Sequence, residues 1–513
     1  MTPPRRNSPP APDHHGSYPS PATGPLSRGP VAGLFLCFSV PPPSRLIVVT
    51  TVNRNFLALA VGEAAARLIA FAANVYLART LGPAGYGIIG VATALMLYLT
   101  AIGDSGIDLI GVREIAASPA LSRELGGSLV AARTMIAAIV ALIVVLAGVF
   151  LGPQPEGAIL ASYALTLLVL GLNVRWIHLG LEQGGRVAAG RIAGEAVMAA
   201  LVLGLVRSAG DIPHVPMAQF AGDAVAALCL AWWLRGSLGP LLVRMDWERA
   251  APILRRAIPL VLQTLLGLLI FNSDLIFLRL FHTASVTGLY VAAYTLVSFL
   301  VNVGIAYGQS LLPALTRLGA DPQAQGAQYR TSLAQVFAVG LPIAVGGALL
   351  APAIIGLAFG EQYQRSALPL AVLLWSVPAG YFRNVSLLSL VACGRQDLVL
   401  RTAVQAAILN LLLNLLLIPR YAMVGAAAAT VLTEVVRAGL ALRNASTEGL
   451  RAPGFDRFWR ALLASGVMAL SLLPLARQPI WLSVPAGVAA FALTLFLVGG
   501  LRLSPSGSPE LRV

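Results

Sequence analysis

Lysine is missing from this 513-residue sequence, so all 35 of its basic residues are arginine. Charge of either sign is scarce, at 11% of residues, where a soluble domain carries about 25%. A water-soluble chain of this size could not cover its surface with so few charges, which excludes soluble enzymes and nucleic-acid binders. The formal net charge of +14 does not restore a nucleic-acid partner, because the cations are scattered between apolar blocks. Cysteine is nearly absent: Cys37, Cys229 and Cys393 stand apart, without a CxxC pair or a neighbouring histidine. The five histidines are equally dispersed. Neither a metal site nor a disulfide framework is indicated. What fills the chain instead is apolar, 57% hydrophobic residues with a mean hydropathy of +0.80. These figures describe a polytopic membrane protein.

Residues 1–52 differ from the rest. Met1 to Pro43 is rich in Pro, Ser and Gly, a composition that cannot bury enough apolar surface to fold. Its one apolar run, Val31 to Val40, is about half the length of a spanning helix. The expectation is a disordered cytoplasmic tail, with the functional chain beginning near Val52.

A hydrocarbon core of about 30 Å needs roughly 20 apolar residues per helix. Fourteen segments meet that need: 56–78, 88–110, 129–151, 158–178, 191–207, 216–234, 257–280, 288–311, 331–356, 368–392, 401–418, 425–443, 461–477 and 482–501. The weakest are 191–207 and 461–477, and a count of twelve stays open. Arginine tests the division independently, because cytoplasmic loops carry an excess of it. With the N-terminus in the cytoplasm, 26 arginines fall on the cytoplasmic side, six on the other, and Arg67, Arg175 and Arg383 within spans. All loops are short, leaving no room for an extramembrane catalytic domain.

Two halves overlay weakly. Gly87-Ile88-Ile89-Gly90 opens the second span as Gly288-Leu289-Tyr290-Val291 opens the eighth, and Arg133-Thr134 opens the third as Arg330-Thr331 opens the ninth. Six helices per unit is even, so the implied pseudo-twofold axis runs along the membrane normal, as in transporters whose substrate site lies between parallel repeats.

Specific motifs follow the same order. The first spans carry Tyr76-Leu77-Ala78-Arg79-Thr80-Leu81-Gly82-Pro83-Ala84-Gly85-Tyr86-Gly87, then Asp104-Ser105-Gly106-Ile107-Asp108 and Gly111-Val112-Arg113-Glu114-Ile115. The second half carries Phe359-Gly360-Glu361-Gln362-Tyr363, Gly394-Arg395, Asn410, Asn414, Ile418-Pro419-Arg420-Tyr421 and Gly425-Ala426-Ala427-Ala428-Ala429-Thr430 with Glu434. In these the chain, from about residue 54 on, resembles bacterial oligosaccharide flippases of the multidrug/oligosaccharidyl-lipid/polysaccharide exporter superfamily. The resemblance implies an all-α integral membrane fold of about 14 transmembrane helices, with two six-helix lobes facing each other and two C-terminal helices appended. The corresponding divisions are an N-lobe over 53–245, a C-lobe over 246–443, the appended pair over 444–501 and a tail over 502–513. It further implies a multi-pass protein of the bacterial inner membrane that moves a polyprenyl-diphosphate-linked glycan between leaflets. No cofactor is implied, coupling to H+ or Na+ is an option, and glycan polymerase machinery is an expected neighbour.

Ionisable residues inside spans are costly, about 2.5–3.5 kcal/mol each at mid-bilayer on the lenient scale, and so need a reason. Glu63 and Arg67 lie four apart in the first span. They form either a self-neutralising helical pair or a diphosphate ligand, Arg67, with its resting counter-ion. Arg175 either snorkels to headgroups or binds diphosphate, and Arg383, beside Asn384, is the deeper cavity candidate. Arginine suits a diphosphate because its fork donates two hydrogen bonds and keeps its proton.

Asp104 and Asp108 either share a proton or sodium ion as a coupling pair, or Asp108 caps against Arg113 while Asp104 bonds locally. Asp274 is a further coupling candidate, unless it pairs with Arg279. Glu434 and Arg437 read as a structural pair, and Asn74, Asn302, Asn410 and Asn414 as interhelical glue. Pro342, Pro352, Pro369 and Pro378 are expected to kink the ninth and tenth spans. Two rivals remain at this stage: a cation-coupled multidrug exporter of the same superfamily, and an integral-membrane glycan polymerase or glycosyltransferase. The second usually needs a sizeable outer loop with clustered acids.

Overall fold

A computed structural model describes residues 45–119, 122–239, 241, 243, 245–318, 321–475, 478–503 and 509–511. The chain divides into units 1–50 and 51–513, and the first is described only from residue 45. The described chain is overwhelmingly helical, as a backbone in lipid must be, since no water is there to satisfy its amides. Among the described residues, ten helices are long and apolar enough to cross a membrane.

Several of these are compound. The first, α1 (Arg45–Asp104), breaks at Gly82 (φ 68°, ψ 175°), beside Pro83. Ser105 and Gly106 then turn the chain with positive φ into α2 (Ile107–Ala117). After α3 (Ser122–Phe150), one crossing is built from three pieces, α4 (Glu156–Ala164), α5 (Thr166–Leu172) and α6 (Arg175–Gly180). Two plain helices follow, α7 (Gly184–Leu205) and α8 (His214–Leu238). The next, α9 (Trp247–Phe281), starts ten residues before the expected span at 257, because Asp246 accepts a bond from the Arg249 amide as a cap. Then come α10 (Ala284–Arg317), α11 (Pro322–Leu349), α12 (Ala351–Phe359), a 3₁₀ turn over Glu361–Ser366, α13 (Ala367–Leu373) and α14 (Ser376–Ala392). The 52-residue α15 (Gln396–Thr447) is bent at Ala422 (φ 48°, ψ −128°), three residues after Pro419. The last helices are α16 (Trp459–Leu472) and α17 (Ile480–Leu497).

Some expectations need correction. Residues 45–52 are helical and not part of a disordered tail; the remainder of that expected tail, 1–44, lies outside the described residues. The final helix stops at Leu497, not 501, and beyond the helical body β1 (Leu501–Leu503) pairs antiparallel with β2 (Pro509–Leu511). The ninth and tenth spans do break as the prolines predict: Pro352 and Pro378 lie in the first turns of α12 and α14, just past the interruptions at Leu350 and at Leu374–Trp375, while Pro342 is interior to α11 and Pro369 opens α13.

Helices α3–α8 pack chiefly among themselves, with α1 joined to them where Gly62 meets Ala188 and Gly103 meets Ala137; α9–α15 form a second group, and α16 and α17 pack on each other and on α11 and α12. The turns gather at two ends. The kink end holds the breaks at Gly82 and Ala422, with residues 151–155, 206–213, 282–283 and 360–366 between helices. The opposite end holds residues 105–106, 181–183, 393–395 and the approach to Trp247. The two helix groups meet closely at one crossing: a Cβ on Gly87 would lie 1.9 Å from the Ala284 carbonyl, and one on Gly288 would lie 1.8 Å from the Pro83 carbonyl. These glycines, which open the two segments overlaid in the sequence, face each other.

Candidate functional site

Buried charge concentrates in three places. In the second group, Arg383 from α14 meets Glu434 from α15 at 2.8 Å, and Arg437, one turn on, lies 3.5 Å from the other Glu434 oxygen. All three side chains are buried. Both guanidinium carbons stand 5.6 Å from the Phe271 ring centroid of α9, at cation–π distance. Two cations therefore share one carboxylate. Nε and Nη1 of Arg437 have no hydrogen-bond acceptor, so the cluster carries unused donors as well as a surplus positive charge. Glu434–Arg437 is the local pair read from the sequence, and Arg383 joins it from another helix.

A second cluster surrounds Asp274 on α9, 2% exposed. Its carboxylate accepts from Tyr290 of α10, from Thr430 of α15 at 3.3 Å and from the Leu275 amide at 2.9 Å. Alongside, Ser273 donates to Asn410 at 3.0 Å, Asn414 donates to Ser273 and Asn410, and Asn410 donates to Thr433. Oδ1 of Asn414 is buried without a donor. The expected Asp274–Arg279 pair is not formed: Arg279 bonds Glu156 of α4 at 2.6 Å, leaving Asp274 with no ion pair among the described residues. Asn410 and Asn414 do tie α9 to α15, whereas Asn74 and Asn302 bond carbonyls of their own helices.

The third cluster lies in the first group. Arg133 of α3, 1% exposed, bridges Asp104 at 2.6 Å and Asp108 at 3.3 Å, and also donates to the Asn173 carbonyl. Arg175 reaches Asp108 at 3.7 Å. Asp104 also accepts from the Asp108 amide at 3.4 Å, the local bond expected of it, whereas no ion pair joins Asp108 to Arg113 among the described residues. Arg175 is half-exposed and ion-paired. Sequence reading placed Arg133 at a helix boundary, and nothing local shows that it folds back onto a turn some 25 residues earlier. A small cavity of about 60 Å³ adjoins, lined by Arg175, Arg191, Glu195, Gln219 and Asp223 among others. Arg191–Glu195 is an i,i+4 pair at 2.9 Å that a scan for helical spacing would have found.

Glu63 and Arg67 bond at 3.1 Å within α1, and both side chains are exposed. Both readings of the pair contain this bond. Arg67 and Arg383 are both ion-paired in this conformation, Arg67 at an exposed position and Arg383 at a buried one. An apolar cavity of about 490 Å³ lies between Phe71, Leu296, Phe299, Pro342, Met468 and Phe491, so α16 and α17 help to wall it.

Comparison with known proteins follows the same lines. The pattern of the family described as "Polysaccharide biosynthesis protein" matches residues 52–319. No curated protein matches the chain. The fold is similar to that of the lipid II flippase MurJ in an inward closed conformation, at TM-score 0.73 and 10% identity over 86% of this chain and 98% of that one. It is also similar to an inward-facing multidrug resistance MATE family transporter of the MOP superfamily, at TM-score 0.61 and 15% identity over 75% and 94%. A MOP superfamily transporter from Pyrococcus furiosus, noted for the reverse polarity of its binding pocket, matches at TM-score 0.51 and 15% identity over 78% and 95%.

Proposed function

We propose, from the premise that the chain belongs to the polysaccharide biosynthesis protein family, that it is a flippase for polyprenyl-diphosphate-linked oligosaccharide. Lipid would cross the bacterial cytoplasmic membrane by alternating access of two lobes, 53–245 and 246–443, related by a pseudo-twofold along the membrane normal. In this reading each kinked helix counts as two crossings and the broken ones count too, giving fourteen with the N-terminus cytoplasmic. The arginine bias then makes the kink end periplasmic.

The observation that carries the reading is the pair Arg383 and Arg437 sharing Glu434. A buried, unneutralised guanidinium is expensive in a bilayer and marks a place where an anion is handled. A diphosphate brings two charges and several acceptor oxygens, which match the planar donors of two arginines. Glu434 is the resting counter-ion: when the headgroup arrives, the arginines exchange part of their bonding to Glu434 for phosphate. Arg67 and Arg175 are secondary ligands, each released from a neighbouring acid in the same way. The 490 Å³ apolar cavity beside α16 and α17 suits the polyprenyl chain.

Ion coupling is assigned to Asp274. It is a buried carboxylate with no ion pair among the described residues, held by the hydroxyls of Tyr290 and Thr430. A proton or a sodium ion would supply the missing positive charge there. Asp104, Asp108 and Glu63 are weaker candidates because arginine already neutralises them. A cation-coupled drug exporter of the same superfamily is disfavoured by the surplus positive charge, which repels a cationic drug. No catalytic residues are assigned.

The test is binding. Purified protein titrated with a polyprenyl diphosphate, the matching monophosphate and a neutral polyprenol, read by native mass spectrometry, should rank them in that order. R383Q and R437Q should each abolish the preference for diphosphate. Equal binding of all three lipids by the unaltered protein would overturn the reading.

A further inference from the structure

Two sequence motifs some 280 residues apart, 76–87 and 359–363, are left unexplained by substrate binding, and the structure brings them together. Their contact follows from the backbone. Pro83 has no amide hydrogen and Gly82 leaves helical geometry, so the carbonyls of Ala78 and Arg79 lose the donors that a continuous helix would give them. Tyr363 donates to the Ala78 carbonyl at 2.8 Å, and Gln362 donates to the Arg79 carbonyl at 3.0 Å. The exchange is mutual. α12 ends at Gly360, whose φ of 88° closes the helix. The carbonyls of Leu357 and Ala358 in its last turn accept from the Arg79 guanidinium, the latter at 2.8 Å. Each broken helix end is thus capped by a side chain from the other helix group. Behind the caps, Tyr86, Phe359 and Tyr363 pack ring to ring at 5.5–6.5 Å, and Glu156–Arg279 adds a further tie across the same end.

We propose that this reciprocal cap is a latch that holds the kink end closed, with Arg79, Gln362 and Tyr363 as its positioning residues. Arg79 and Gln362 are exposed at the end of the bundle, so water can replace their bonds to the carbonyls when the ends part. A protein bond exchanged for a water bond changes free energy little, so the closed and open ends differ modestly and a bound ligand can tip them. The buried Ser273–Asn410–Asn414 network is different, since it has no access to replacement water and serves as fixed glue. The latch rests on the proposed alternation between lobes, and its test uses no substrate, so the two can fail separately.

The experiment places spin labels at Ala84→Cys and Gln364→Cys, both exposed and on opposite sides of the contact, in protein whose native cysteines are replaced by serine. Distances are measured in liposomes by pulsed electron paramagnetic resonance. The latch predicts one short distance for the parent and a long-distance fraction raised at least fivefold in R79Q/Q362A. The conservative Y363F, which loses one hydroxyl donor, should fall between. An unchanged distance distribution in both variants, with or without a lower melting temperature, would overturn the latch and leave the contact as static packing. A shift in distance by a protein that moves no lipid would keep the latch and remove the flippase.

Discussion

Replacing Gly87 by alanine tests the tightest contact between the two helix groups. Its Cβ would fall 1.9 Å from the Ala284 carbonyl oxygen and 2.8 Å from the Gly288 nitrogen. Side-chain carbons essentially never approach within 3.0 Å, so the helices must separate by about 1.1 Å or tilt. Neither obstructing atom can rotate away, because both are backbone. Overpacking of this kind costs about 1–3 kcal/mol. Gly288→Ala meets the Pro83 carbonyl at 1.8 Å and should cost as much. Because a single separation relieves both clashes, the double variant should cost clearly less than the sum.

The matched control is Gly439→Ala in α15, whose new Cβ meets nothing within 4 Å and which should gain about 0.5–1 kcal/mol from reduced chain entropy. Thermal melting of purified protein in one detergent, followed by tryptophan fluorescence, would rank the four variants. Melting of G87A at or above the G439A temperature would refute the close crossing.

Three further outcomes follow from the same contacts. Glu434→Gln leaves two buried guanidiniums without a carboxylate and should destabilise by about 3–5 kcal/mol; adding R383Q should restore part of the loss in the same melting assay. Asp274→Asn keeps the shape of its site and removes the charge, so transport should lose its dependence on pH or sodium, and an unchanged ion dependence removes Asp274 from coupling. Asp211, in the turn after α7, is held below the usual carboxylate range by the Arg207 amide and by the amide and hydroxyl of Ser208. The cap it makes is at full strength above the unfolded value of about 3.9 and is lost as pH falls through the lower folded value. Hydrogen exchange of residues 206–214 should therefore accelerate below about pH 4 in the parent, and D211N should exchange rapidly at every pH.

What could be read from the sequence was what is local. Apolar runs placed the helices, Gly82-Pro83 and Pro419 marked breaks, and Glu63–Arg67 and Glu434–Arg437 announced themselves by helical spacing. The misreadings come from contacts across the fold. Asp274 and Arg279 are five apart, which turns them about 140° around a helix, so Arg279 is free to take Glu156 from another helix. Arg133 looked like a boundary cation because hydropathy cannot distinguish an arginine facing headgroups from one folded onto Asp104 and Asp108. α9 begins before the apolar run at 257 because Arg249, Arg255 and Arg256, around Trp247, suit a helix lying partly in the interface. The two motifs of the kink end were each visible, but only the fold shows that one caps the other.

The most direct measurement is leaflet exposure of a labelled polyprenyl-diphosphate saccharide in vesicles containing the purified protein, detected by a reagent that cannot cross the bilayer. The account predicts transfer by the unaltered protein and none by R383Q/R437Q. It also predicts no comparable transport of a lipophilic cation. Transfer at the full rate by R383Q/R437Q, or export of the cation in place of the lipid, would contradict it.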